Sequence, residues 1–175
     1  MIVLIMGVSG SGKSTIGRRL ADALQSTFAD ADSFHSHSNI EKMRAGTPLS
    51  EHDRGPWLQA LRTAIDRWIG EEQNVVLACS ALTAASRRIL IPDRRSIALV
   101  YLKGSFELIQ ARLAQRGHHF MPRELLASQF DALEEPTDAL TIDAAWPPET
   151  ITAHIRAYID SPLFRKTSNL SDNGG

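Results

Sequence analysis

A chain of 175 residues with 43% hydrophobic and 22% charged residues has the size and composition of one globular domain. Its formal net charge of -1 provides no positive field to recruit nucleic acid or anionic lipid, so we expect neither as a partner. The single cysteine, Cys79, excludes an internal disulfide and favours a cytoplasmic location, and no apolar run approaches the length of a membrane span.

Apolar strands and amphipathic helices are predicted to alternate along the chain. Residues Ile2–Met6 are apolar without alternation, which predicts a central strand buried on both faces, and helical spacing of apolar residues predicts a helix over Lys13–Leu24. Further strands are predicted over 27–30, 75–78, 97–102 and 140–142, and further helices over 57–69 (with Pro56 in the first turn), 106–116, 123–133 and 149–159. This alternation predicts an α/β fold with a parallel sheet and helices on both faces.

Residues 7–14 read GVSGSGKS and match the phosphate-binding pattern G-x-x-x-x-G-K-[ST] between the first strand and the first helix. The glycines allow the backbone to wrap around a phosphate, Lys13 would reach the β- and γ-phosphates, and the Ser14 hydroxyl would bind Mg²⁺. The motif predicts ATP and Mg²⁺ as cofactors and a P-loop NTPase-type three-layer α/β/α fold with a five-stranded parallel sheet. The predicted nucleotide-binding residues are Gly7, Ser9, Gly10, Ser11, Gly12, Lys13, Ser14 and Thr15.

Two features narrow the class of P-loop protein. The sequence has no Asp-x-x-Gly after its second major strand and no Asn-Lys-x-Asp, the two motifs that a switch GTPase needs, which with the small size indicates a metabolite kinase. Asp30 and Asp32 follow the second predicted strand, and the carboxyl ends of adjacent parallel strands open onto one crevice. If the segment that carries them is extended, one carboxylate of the pair could face Mg²⁺ while the other faces an acceptor hydroxyl. The alternative is a solvated acidic turn.

An ordered set of short segments extends from the phosphate loop to about residue 136. It comprises Asp30-x-Asp32-x-x-His35, Asn39-Ile40-x-Lys42-Met43, Gly46-x-Pro48-Leu49, Asp53-Arg54-x-Pro56-Trp57-Leu58, Cys79-Ser80-Ala81-Leu82 with Arg87, Arg112 and Arg116 with His119-Phe120-Met121, Ser128-Gln129-Phe130, and Leu133-Glu134-x-Pro136. In this set the chain resembles the gluconate kinases of the shikimate-kinase-like P-loop group. The resemblance implies transfer of a phosphoryl group from ATP to D-gluconate, giving 6-phosphogluconate and ADP, by a homodimer.

The resemblance also implies roles for individual residues. Asp32 would orient or deprotonate the acceptor hydroxyl, and Asp30 would contact Mg²⁺ through water. The implied sugar-acid pocket contains His35, Asn39 and Arg54 of a small helical insert at about residues 35–60, together with Arg87. Arginine suits the carboxylate of such an acceptor and neutral polar groups suit its hydroxyls. The alternatives are ion pairs for the two arginines, and turn or helix capping for His35 and Asn39.

The segment at about residues 112–128 is predicted to be a lid. Arg112 and Arg116 are four residues apart and share one helix face, so both could neutralise the γ-phosphate as the lid closes about a hinge at Gly117. We predict that Arg112 contacts the nucleotide, that Arg116 acts in catalysis, and that adenine lies between a lid arginine and the loop at 143–147. The alternative is a solvated basic helix face.

The predicted organisation is one kinase domain over residues 1–164 and a poorly ordered tail over 165–175. Ala31 departs from the glycine that gluconate kinases often have between the two aspartates, which would cause strain if the position needed a positive φ. Two rival functions remain open. One is a kinase for another small sugar acid or shikimate-like acceptor, and the other is a regulatory protein that hydrolyses ATP slowly.

Overall fold

A five-stranded parallel sheet forms the middle layer of the computed structural model, which describes residues 1–93, 95–115 and 123–161. In chain order the elements are β1 (Ile2–Met6), α1 (Lys13–Leu24), β2 (Thr27–Asp30), a 3₁₀ turn (Ala31–Phe34), α2 (His37–Arg44), α3 (Glu51–Gly70), β3 (Val75–Ala78), α4 (Ala84–Leu90), β4 (Ile97–Lys103), α5 (Phe106–Gln115), α6 (Arg123–Asp131), β5 (Leu140–Asp143) and α7 (Pro148–Asp160). The strands lie in the order β2-β3-β1-β4-β5, and each neighbouring pair is parallel. The predicted three-layer α/β/α fold is confirmed.

Strand β1 lies at the centre of the sheet and is buried on both faces. Ile2, Leu4 and Met6 pack in one core cluster with α3, whereas Val3 and Ile5 pack in a second cluster with α1 and α7. All five side chains are fully buried, as the continuous apolar run predicts. Because β1 pairs with both β3 and β4, the loop that follows β1 emerges in the middle of the carboxyl edge of the sheet.

Helix α3 begins at Glu51, so the prediction that Pro56 lies in the first turn is wrong. Ser50 accepts a hydrogen bond from the Asp53 amide at 3.2 Å, and the Asp53 carboxylate accepts one from the Ser50 amide at 3.0 Å. This capping box satisfies amide donors that would otherwise lack partners and starts the helix upstream of the proline. Pro56 therefore lies inside the helix, where it lacks the N–H of one internal hydrogen bond.

Two short helices, α2 and α4, add to those that the apolar spacing predicts. The Ser36 hydroxyl caps α2 by accepting from the Asn39 amide at 3.3 Å, and the Thr83 hydroxyl caps α4 by accepting from the Ser86 amide at 3.1 Å. With 8 and 7 residues, neither helix is long enough to show a clear apolar stripe. Helix α2 lies within the predicted helical insert.

Several predictions fall outside the described residues, namely those on Arg116, Gly117 and the tail at 165–175. The described elements share one sheet and its two helical layers. The division into a kinase domain, an insert and a lid stays a prediction. Among the helices that the structure describes, none combines the length and the apolar character that crossing a lipid bilayer requires.

Candidate active site

The loop between β1 and α1 has the features of an anion-binding cradle. Gly12 caps α1 with a φ of 103° and no side-chain cap, so the first amides of this helix are available to an anion. A Cβ on Gly7 would come within 2.8 Å of the Ser11 hydroxyl and the Leu102 carbonyl oxygen, so a side chain there would fill the cradle. Ser11 Oγ is buried and has no hydrogen-bond partner within the described residues. A phosphate would supply that partner, so the loop fits a nucleotide.

The side chains of Lys13 and Ser14 contact different partners. Lys13 Nζ donates to the Val8 carbonyl oxygen at 3.0 Å. Ser14 Oγ donates to Asp30 Oδ2 at 2.8 Å. A serine hydroxyl beside a carboxylate is a set of hard oxygen donors of the kind that Mg²⁺ prefers, so Ser14 and Asp30 fit the predicted metal site.

The two aspartates adopt a different local geometry from the predicted one. Asp30 ends β2 and its Oδ1 accepts from the Asp32 amide at 3.1 Å, so Asp32 enters a 3₁₀ turn and the extended segment expected there is wrong. Ala31 lies in this turn and is not among the described residues with positive φ, so alanine is accommodated there without that strain. The carboxylate of Asp30 thus reaches Ser14 and shapes the backbone of its neighbour at the same time.

The Asp32 side chain is exposed and lies among charged neighbours. Desolvation by the surrounding protein raises the pKa of the Asp32 carboxyl, and the negative charge of Asp30 raises it further. The charges of Lys13 and His35 lower this pKa in part. The sequence predicts that Asp32, Asp30 and Lys13 meet at the strand ends, and the electrostatic coupling of all three fits that prediction.

A wall beside Asp32 is built by His35 and Trp57. Their rings stack with centroids 4.5 Å apart and an interplanar angle of 9°. Trp57 Nε1 donates to the carbonyl oxygen of Ala31 at 2.8 Å and fixes the residue between the two aspartates. Desolvation lowers the pKa of His35 against the opposing effect of Asp32, which favours the neutral imidazole.

Asn39 is buried between α2 and α3. Its Nδ2 donates to the Asp53 carbonyl oxygen at 2.9 Å and lies 3.5 Å from His35 Nδ1. The side chain therefore joins the two helices of the insert instead of capping a helix. The His35 ring thus contacts Asn39 as well as Trp57.

The two predicted sugar-acid arginines make their contacts elsewhere. Arg54 Nη2 donates to the Leu49 carbonyl oxygen at 2.6 Å, and its Nη1 pairs with Glu51 at 3.1 Å. Arg87 is buried and donates to the Leu82 carbonyl oxygen at 2.8 Å, at the edge of a cavity of about 320 Å³. None of the contacts described for these arginines joins them to Asp32, so their place in the acceptor pocket stays a prediction.

A cavity of about 410 Å³ adjoins the phosphate loop. Arg112 Nη2 donates to the Ala144 carbonyl oxygen at 2.7 Å and so joins α5 to the loop after β5. The lining residues include Gly10, Ser11, Gly12, Thr15, Arg112 and Trp146. The cavity lies where adenine is predicted, between an arginine of the lid segment and the loop at 143–147.

Gln129 on α6 contacts the phosphate loop although the sequence assigns it no role. Its Oε1 accepts from the Ser9 amide at 2.8 Å, and its Nε2 donates to the Ser9 hydroxyl at 3.0 Å. In this structure the Ser9 amide is therefore engaged by the protein itself. The only sequence signal is that Gln129 lies in one of the segments shared with the gluconate kinases.

Comparison with known proteins identifies the family. The family model described as shikimate kinase matches residues 9–159. The chain is 40% identical to the thermoresistant gluconokinase of Escherichia coli (strain K12), over 87% of this chain and 89% of that protein. The chain belongs to the gluconokinases of the shikimate kinase family. Family membership makes it an ATP-dependent small-molecule kinase.

Other members of the gluconokinase group are similar over nearly the whole chain. The gluconokinase of Arabidopsis thaliana is 42% identical, with 93% of this chain and 94% of that protein covered. The crystal structure of a gluconokinase from Sinorhizobium meliloti 1021 superposes with a TM-score of 0.74 at 36% identity, covering 91% of this chain and 96% of that one. The resemblance that the ordered segments predict is thereby confirmed.

Proposed function

We propose that this gluconokinase-family protein transfers the γ-phosphoryl group of ATP to a hydroxyl of D-gluconate, giving 6-phosphogluconate and ADP. The observation that carries the proposal is that Ser14 of the phosphate loop contacts Asp30, which in turn binds the Asp32 amide, beside a loop that fits a phosphate chain. The relatives named gluconokinase support gluconate as the acceptor.

In this proposal Asp32 is the group that orients the acceptor hydroxyl and accepts its proton. A carboxylate with a raised pKa is a better proton acceptor than an ordinary one. The Asp32 side chain is exposed, which leaves it accessible to a substrate hydroxyl. The neutral His35 ring stacked on Trp57 forms a polar wall that suits hydroxyl groups of a polyol.

Lys13 and the arginines of the lid segment stabilise charge on the transferred group. The Lys13 ammonium has three N–H donors, so it would keep its bond to the Val8 carbonyl oxygen while it also contacts the terminal phosphates. Ser14 and Asp30 would hold Mg²⁺, which neutralises phosphate charge when bound. Arg112 contacts the nucleotide in this proposal, and Arg116 acts on the γ-phosphate.

Arg54 and Arg87 are proposed to recognise the carboxylate of gluconate. Arg54 reaches only a main-chain carbonyl and one exposed glutamate, Glu51, so a substrate carboxylate could replace those partners. The homodimer implied by the family resemblance and the cytoplasmic location favoured by Cys79 remain predictions of the same proposal.

A coupled assay of ADP release across a panel of acceptors tests the function. The panel contains D-gluconate, related hexonates and shikimate, because the family model is described as shikimate kinase. Strong stimulation by gluconate supports the proposal. Stimulation only by shikimate or another sugar acid assigns a different acceptor, and slow ADP release that no acceptor stimulates indicates a nucleotide-dependent regulatory protein.

A further inference from the structure

We infer that Gln129 is a positioning residue that fixes the position of the Lys13 ammonium through one peptide unit of the phosphate loop. The peptide bond between Val8 and Ser9 carries both contacts: its N–H donates to Gln129 Oε1 at 2.8 Å, and its carbonyl oxygen accepts from Lys13 Nζ at 3.0 Å. The inference rests on the proposed function for its kinetic readout.

The rigidity of the peptide group links the two contacts. Because the peptide unit is planar, fixing the direction of the Ser9 N–H also fixes the direction of the Val8 carbonyl. A hydrogen bond donated by the N–H polarises the peptide unit and strengthens the bond that its carbonyl oxygen accepts. Gln129 therefore determines both where the Val8 carbonyl oxygen lies and how strongly it attracts the ammonium.

A second bond prevents the Gln129 amide from rotating away. Its Nε2 donates to the Ser9 hydroxyl at 3.0 Å, so the side chain makes two hydrogen bonds to Ser9. Both bonds are partly buried, which limits the competition from water. Glutamine supplies one donor and one acceptor at this spacing, whereas leucine or methionine of similar size supplies neither.

Apolar packing between α6 and the phosphate loop holds Gln129 beside Ser9. Val8, Ile109 of α5 and Leu126 of α6 form a buried cluster, against which Phe130 also packs. The loop residue that carries the shared carbonyl is thus fixed by apolar contacts on the same helix that carries Gln129. Helix α6 therefore influences the position of the Lys13 side chain, although Gln129 and Lys13 lie on different helices.

The decisive experiment is a double-mutant cycle between Gln129→Leu and Lys13→Ala. Gln129→Leu should lower kcat about tenfold with little change in the KM for gluconate, because one charge-positioning bond is lost. In the Lys13→Ala background the same change should alter kcat less than about twofold, because the residue it positions is absent. If the two losses multiply, or if Gln129→Leu alone stays within twofold of the unmodified protein, the inference is wrong.

A binding measurement keeps the test independent of the acceptor. The ratio of ATP to ADP affinity, measured by calorimetry, should fall about threefold or more in Gln129→Leu, since Lys13 reaches the terminal phosphates. An unchanged ratio overturns the inference even if gluconate proves not to be the substrate. Gln110→Leu, a partly buried glutamine on α5, is the matched control and should leave kcat and the ratio within about twofold.

A further pair of variants separates positioning from folding. Gln129→Met keeps the length of the side chain and should reproduce the kinetic loss if Gln129→Leu proves poorly folded. Ser9→Ala removes only the bond from Gln129 Nε2 and should lower kcat less than Gln129→Met does. A larger loss for Ser9→Ala than for Gln129→Met contradicts the inference, because the main-chain bond is the one that reaches Lys13.

Discussion

The nucleotide side and the acceptor side of the cleft are constructed differently. The nucleotide side is one continuous turn whose main-chain amides and glycine conformations form the cradle, with Lys13 and Ser14 as its principal side chains. The acceptor side is assembled from separate elements, where Trp57 reaches Ala31 and Asn39 reaches Asp53. Phosphate binding is thus encoded locally, whereas the acceptor site depends on the packing of α2 and α3. The following variants test that separation.

Lys13→Ala should have the largest effect. Removing the ammonium eliminates charge stabilisation of the transferred phosphoryl group, and we expect kcat to fall at least about 10²-fold. Steady-state kinetics with gluconate and ATP measures the change, with Lys103→Ala as an exposed lysine control. Turnover within tenfold of the unmodified enzyme would show that the loop amides alone carry the nucleotide side.

Asp32→Asn should also lower kcat about 10²-fold, because it removes the proton acceptor for the acceptor hydroxyl. Unlike Lys13→Ala, it should leave ATP affinity nearly unchanged, since Asp32 belongs to the acceptor side. Turnover measurements and calorimetric titration with a non-hydrolysable ATP analogue test both parts. A large loss of nucleotide affinity would mean that the two sides are not separable at this residue.

Arg54→Ala should raise the KM for gluconate about tenfold or more while the KM for ATP changes little, as expected for loss of a charge-assisted contact to a carboxylate. Arg44→Ala is a suitable control, because Arg44 forms a comparable ion pair with Glu41 one helix away. A rise confined to the KM for ATP would remove Arg54 from the acceptor side.

Asn39→Ala should destabilise the acceptor side and leave nucleotide binding unchanged. Loss of the buried amide leaves the Asp53 carbonyl oxygen without this donor, and we expect about 1–3 kcal/mol less free energy of unfolding. Urea denaturation measures the change, and Ser38→Ala on the same helix is the control. Unchanged stability would show that α2 and α3 stay together without this link.

The smallest expected effect is on the pH dependence of stability. The raised pKa of Asp32 means that the folded protein binds this proton more readily than the unfolded chain does. Its favourable contribution is therefore present at acid pH and is lost as pH rises through the folded pKa. Asp32→Asn should slightly raise the unfolding temperature near pH 7 and have less effect near pH 4. The opposite order would contradict the sign of the pKa shift.

Features that depend on contiguous sequence could be predicted, and features that depend on tertiary contact could not. The apolar run Ile2–Met6 and the glycine-rich loop after it predict the central strand and the phosphate site, because each is specified by neighbouring residues. The start of α3 was assigned to Pro56, although the Ser50 and Asp53 capping box determines it. The ordered segments sufficed to predict the gluconokinase family.

In the candidate site, too, some features follow from contiguous sequence and others depend on tertiary contact. Asp30 and Asp32 were predicted to lie near Lys13 from strand topology, but the turn between them depends on a side chain capping the backbone. The contact between Ser9 and Gln129 spans 120 positions of the chain, so neither local pattern nor periodicity indicates it. Such long-range polar contacts become visible only when the packing of α6 on the loop is known.

The buried Cys79 thiol directly follows β3, and desolvation raises its pKa to about 12. Alkylating reagents attack the thiolate, so the native enzyme should resist them at neutral pH and react only when the sheet opens. As the chain contains this one cysteine, the rate of labelling reports how often the centre of the molecule opens. Nucleotide or sugar acid that binds the native state should slow that chemistry in proportion to its occupancy, which gives a ligand screen that needs no turnover.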